Sequence, residues 1–129
     1  MLIRQFPFLD PATITEGLTE RLHKLAKDGA RLAQLGLVPP AQLQTAPLLD
    51  RYRPVVTSLG VRLVGHVTGH PELGTRDVIT SQLWWADPNG AWVRTLSRYY
   101  RLGAPAPLGD GPDEASIVPG HPFGGPSQH

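Results

Sequence analysis

Histidine is the side chain best suited to chemistry near neutral pH, because it alone changes charge there and also binds metals through a ring nitrogen. Five occur, and His66 and His70 stand four apart. On a helix that spacing presents both rings to one ion. Here Gly65, Gly69 and Pro71 make a strand running into a loop the expected local structure, and only Glu72 lies near enough to extend a ligand set. Hydrogen-bonded or exposed histidines are expected instead, and no metal site. Cysteine is absent, which removes thiolate ligands, disulfides and cysteine nucleophiles together. Hydroxyls recur at Thr80-Ser81 and Thr95-Leu96-Ser97, without a Gly-x-Ser-x-Gly elbow or a motif that places a His–Asp pair. Carboxylates fall at turns and caps (Asp10, Asp50, Asp77, Asp87) or among the polar positions Glu16, Glu20 and Asp28. No Gly-x-Gly-x-x-Gly or Gly-Lys-Thr/Ser run cradles a phosphate. The expectation is a chain with no catalytic residue and no cofactor, and not an enzyme.

Recognition is the chemistry that remains. Trp84, Trp92, Arg94, Arg98 and Tyr100 are of the types that dominate interaction hot spots, and they cluster within 17 positions. Asp87-Pro88-Asn89-Gly90 reads as a type I turn closed by a left-handed glycine, which would face Asp87 with Ala91. In that register Ile79, Ser81, Leu83 and Trp85 share a face with Tyr99, Ser97, Thr95 and Val93. The other face carries Thr80, Gln82 and Trp84 with Trp92, Arg94, Leu96, Arg98 and Tyr100. Only the first is free of charge, so it is assigned to the core and the second to solvent or a partner. A register slip of one would bury an arginine, which argues against it.

These strands need elements to hold them. Ile14, Leu18, Leu22, Leu25, Gly29, Leu32 and Gly36 follow steps of three and four, so a long amphipathic helix is predicted over residues 11–36. Its N-cap is either Asp10, with Pro11 following, or Thr13, with Glu16 completing a capping box; Gly36 suits its C-terminus. Proline-punctuated residues 38–54 read as a connector. Strands are expected at 55–68, with an interruption at Gly60, then at 78–87 and 91–101, with a loop over 69–77. The predicted fold class is α+β: one long N-terminal helix packed on a small antiparallel sheet of about three strands. It forms a single domain over 1–102, and a disordered Gly/Pro-rich tail follows over 103–129. The whole chain has 12 basic and 11 acidic residues; residues 1–102 keep all 12 basic and 8 of the acidic ones, a mildly basic balance. No apolar run reaches the roughly 20 residues a spanning helix needs, and Met1–Pro7 lacks the pattern of a secretory signal. A cytoplasmic protein with no membrane partner is expected.

Gly69-His70-Pro71-Glu72-Leu73-Gly74, Ile79-Thr80-Ser81 and the run Arg94-Thr95-Leu96-Ser97-Arg98-Tyr99-Tyr100-Arg101-Leu102-Gly103, with the leucine-rich helix before them, resemble a family of small alphaproteobacterial proteins. That family has no established activity, so the resemblance implies an accessory or regulatory role and brings no site residues. The expected function is protein binding, by an unknown partner or by self-association, through Trp84, Trp92, Arg94, Arg98 and Tyr100. The alternative is nucleic-acid binding by the same face, with arginines on phosphates and aromatic rings on bases.

Overall fold

The computed structural model of the protein describes residues 1–107 and divides the chain into two compact units, Met1–Leu37 and the segment from Val38 onward. The expected disorder of residues 108–129 lies outside the described residues.

In the first unit a short helix α1 (Leu2–Gln5) and two single turns lead into α2 (Glu16–Leu35). Neither expected cap starts the long helix. Asp10 accepts the Ala12 N–H at 2.9 Å and so caps the turn Pro11–Thr13, while Thr15 Oγ1 accepts the Leu18 N–H at 3.0 Å and opens α2. Two candidate caps this close in sequence compete, and the extended backbone of Ile14 separates them. Gly36 closes the helix in the left-handed conformation, φ 71°, as its type predicts. Asp28, expected on the solvated side, is buried, whereas Ile14 and Leu22 of the apolar stripe are exposed.

The second unit begins with a one-turn helix α3 (Pro40–Gln44) and continues as six strands: β1 (Leu48–Thr57), β2 (Gly60–His70), β3 (Gly74–Ile79), β4 (Leu83–Ala86), β5 (Trp92–Thr95) and β6 (Tyr99–Leu102). The class is α+β as expected, but the sheet has six strands and is mixed, with order β3-β2-β1-β6-β5-β4 and a parallel β1–β6 contact. Three features account for the difference. Gly60 at φ 121° turns the expected single strand 55–68 back on itself. The expected loop 69–77 is a hairpin turn, with His70 facing Gly74. Residues 91–101 break at Thr95, whose hydroxyl accepts the Ser97 and Arg98 N–H groups at 3.1 Å and donates to Arg98 O at 3.0 Å.

The strands at the two ends of this order, β3 and β4, are consecutive in the chain and separated only by residues 80–82. The sheet therefore curls until its ends meet at a covalent seam. Hydrogen bonds mark both sides of that seam: Thr80 N–H donates to Leu63 O and Leu96 N–H to Gln82 O, each at 2.9 Å. The curled sheet encloses the core of Leu49, Leu63, Val67, Val78, Val93 and Tyr100. Residues 103–107, expected to begin the tail, run instead along β1: Gly103 N–H donates to Leu49 O and Ala106 N–H to Tyr52 O, both at 2.8 Å.

At Asp50 the β1 ladder slips by one residue, and Arg51 there adopts φ 50°, costly for a side chain of its size. The Asp50 carboxylate holds this bulge by accepting the Arg51 N–H at 3.0 Å and the Ala104 N–H at 2.7 Å.

Candidate functional site

The turn forms at Asp87–Gly90, with Gly90 N–H donating to Asp87 O at 2.9 Å, but it is one residue longer than read: Asp87 N–H donates to Trp92 O at 2.9 Å, so Asp87 lies opposite Trp92 and not Ala91. Asp87 accepts the Asn89 and Ala91 N–H groups, each at 3.1 Å, and Gly90 takes φ 78°. Leu83 faces Thr95, as the expected register requires, but Trp85 faces Arg94 and Ala86 faces Val93. Between those pairs β4 carries one residue more than β5, and that residue is Trp84. A bulge of this kind leaves its extra residue outside the ladder and re-aims the side chain. The Trp84 indole is 50% exposed, with the Trp85 ring 6.3 Å away.

The expectation that Trp92, Arg94 and Tyr100 stand outward on one face is corrected. Their exposures are 8%, 0% and 0%. Because β5 turns back into β6, Val93 faces Tyr100 and Arg94 faces Tyr99. Tyr100 thus joins Val93 in the core, while Trp92 and Arg94 share the opposite side with Tyr99, 5.5 Å ring to ring and 5.3 Å from guanidinium carbon to ring. That side is buried as well, and the arginine that charge reasoning kept outside lies within it, where Arg94 Nη1 donates to Thr95 O. Arg98 is half-buried, and its guanidinium lies 3.5 Å from the exposed Glu72 carboxylate. Of the five residues, the structure leaves Trp84 open to solvent, Arg98 partly so, and builds the other three into the sheet.

The other chemically capable side chains have structural roles. His70, buried, accepts the Glu72 and Leu73 N–H groups on Nδ1 at 3.0 and 3.1 Å, which closes the β2–β3 turn and requires that nitrogen to be unprotonated. His66 pairs across the strands with Asp77 at 3.0 Å, so the two histidines serve different contacts. Ser81 Oγ lies 3.0 Å from Ser97 Oγ, the facing pair the register predicts. Among the described residues no three His, Asp or Glu side chains gather. Sequence reasoning missed the role of Thr95 in the β5–β6 turn and, although it placed Asp50 at a turn or cap, missed the bulge that Asp50 holds. For each the signal was a short polar residue at a break in alternation.

Burial pushes the Tyr100 hydroxyl up to about 12, with Arg98 opposing the shift and Glu72 adding to it. An unfolded tyrosine titrates near 10. The neutral ring is therefore favoured by folding; its contribution is complete below about pH 10 and disappears as pH rises towards 12. Unfolding free energy is expected to fall by about 2–3 kcal/mol across that interval. Tyr100→Phe, followed by urea unfolding at successive alkaline pH values, should remove that loss.

These features define a small α+β protein on a self-closing mixed sheet, with one exposed indole at a bulge and most of its arginine–aromatic cluster internal. The chain belongs to a family of unknown function, DUF6634, whose model matches residues 29–109. No curated protein and no solved structure matches it. Among the described residues no helix is long and apolar enough to cross a membrane.

Proposed function

We propose that this chain is a non-enzymatic accessory or regulatory protein that acts by binding a protein, with Trp84 at the centre of the contact. The observation that carries this reading is the half-exposed indole on the β4 bulge. Isolated exposed apolar residues are common on proteins, but a bulge re-aims the side chain it adds, and an exposed indole is an efficient interface anchor. Arg98 is proposed as a polar companion. Trp92, Arg94 and Tyr100 contribute from within, by fixing β5 and β6. A cytoplasmic setting in alphaproteobacteria belongs to the same proposal.

The nucleic-acid alternative draws less support. Phosphate binding needs exposed cations; of the arginines that reading uses, Arg62 and Arg94 are buried, Arg98 lies by Glu72 and Arg101 Nε donates to Ala46 O at 2.9 Å, while Arg76 is exposed on β3. A photo-reactive amino acid in place of Trp84, irradiated in extract of the source cells, distinguishes the two. Protein adducts that persist as salt rises are the expected product. Nucleic-acid adducts that vanish steeply with salt would overturn the reading.

A further inference from the structure

His70 ends β2 where the chain turns into β3, and it is 4% exposed. Its Nδ1 accepts the Glu72 N–H at 3.0 Å and the Leu73 N–H at 3.1 Å, so in the closed turn that nitrogen carries a lone pair and no proton. Proton uptake there removes both bonds at once and places a charge in a buried site. Two contacts tie the turn to the rest of the sheet. Leu73 packs against the core, and the Glu72 carboxylate lies 3.5 Å from the Arg98 guanidinium. The fully buried Tyr100 ring stands 6.2 Å from the His70 ring.

We infer that His70 is a proton-operated latch: proton uptake opens the Pro71-Glu72-Leu73 turn and releases Arg98 from Glu72, which frees that guanidinium for a partner. This rests on the protein-binding reading, in which Arg98 accompanies Trp84, and adds its regulation. The groups around the ring are Glu72 of the same turn, Arg98 beyond it and Tyr100 of β6. Side chains of those three types titrate at about 4.3, above about 12 and at about 10 or higher, so between about pH 5 and about pH 7.5 the imidazole is the one that changes charge. His66, also on β2, has the opposite sign: charging it strengthens its 3.0 Å bond to Asp77 and holds the two strands together. The closed turn excludes the proton and the open one admits it, so opening is linked to the uptake of one proton. With an ordinary histidine value of about 6.5 in the open turn, going from about pH 7.5 to about pH 5 raises the open population about 30-fold.

Amide hydrogen exchange in the full, unaltered chain measures this without a variant. Protection at Glu72 and Leu73, corrected for the intrinsic pH dependence of exchange, should fall about 30-fold over that interval. It should stay below that of the core strands throughout, because the turn opens without the sheet. His70→Asn, whose Oδ1 can accept the same two N–H groups and does not titrate, should remove the fall, and His66→Gln should leave it in place. The yield of protein photo-adducts from position 84 should rise over the same interval in the chain with His70 and stay level with His70→Asn. Protection that is flat with pH, a fall that His70→Asn retains, or amides that exchange only with the whole sheet would overturn the inference. So would a yield of protein adducts that ignores pH, which would nevertheless leave the protein-binding reading standing; adducts only to nucleic acid would remove both.

Discussion

Tyr100→Ala is expected to cost about 4 kcal/mol of unfolding free energy, the largest effect of any single truncation in this fold. The ring is fully buried among Leu49, Leu63, Val67, Val78 and Val93, where the curled sheet closes on itself. Removing it deletes apolar contact and leaves a cavity that the hydrogen-bonded strands around it can only partly collapse. Urea unfolding followed by far-UV circular dichroism measures the cost. A loss under about 1 kcal/mol would mean that Tyr100 lies at the rim of the core, and with it the inward turn of β6 would be wrong.

Gly103→Ala comes next, at about 3 kcal/mol. A Cβ at this position would stand 2.6 Å from Asp50 Oδ1 and 3.0 Å from Asp50 Cγ. A flexible side chain would swing aside. This carboxylate is held by the Arg51 and Ala104 amides, so moving it costs hydrogen bonds at the strained bulge as well as repacking. The mechanism predicts strong coupling. Asp50→Ala should itself destabilise the chain, and in that background Gly103→Ala should add less than about 1 kcal/mol, since the clash is gone. Additive losses in the double-mutant cycle would place the origin of the effect elsewhere.

Where one local signal was enough, the fold could be read in advance. The turn at Asp87–Gly90, the facing serines 81 and 97, the helix closed by Gly36 and the local bonding of His70 all follow from residue type and spacing. What escaped was a reversal built without glycine or proline. Thr95 closes the β5–β6 turn with its hydroxyl and with its own N–H, which donates to Arg98 O at 2.9 Å, and a single continuous strand over 91–101 is the natural reading when that is overlooked. The consequence spreads, because side chains alternate along a strand and a missed reversal changes which neighbours share a face. Tyr100 moved from the supposed outer face to the core, and Tyr99 moved beside Arg94. The rule that charge stays outside failed for Arg94 and Arg62 for a related reason. It presumes one wet face, whereas in this sheet buried residues occur on both, and burial lowers the Arg62 guanidinium below its usual range.

The site was legible in composition and illegible in geometry. Trp84, Trp92, Arg94, Arg98 and Tyr100 are neighbours in sequence, but the fold puts Trp92 and Arg94 on one side and Tyr100 on the other, and the bulge that ejects Trp84 leaves no mark in the sequence, since Leu83-Trp84-Trp85-Ala86 reads as an unbroken strand.

Binding through Trp84 requires a division of labour between two indoles eight positions apart, Trp84 exposed and Trp92 built in. Unfolding free energies of Trp84→Ala and Trp92→Ala, measured side by side in urea, test it most directly. The prediction is a loss within about 1 kcal/mol for Trp84→Ala and about 3 kcal/mol for Trp92→Ala. Equal, large losses from both would contradict it, because Trp84 would then be part of the interior and unavailable to any partner.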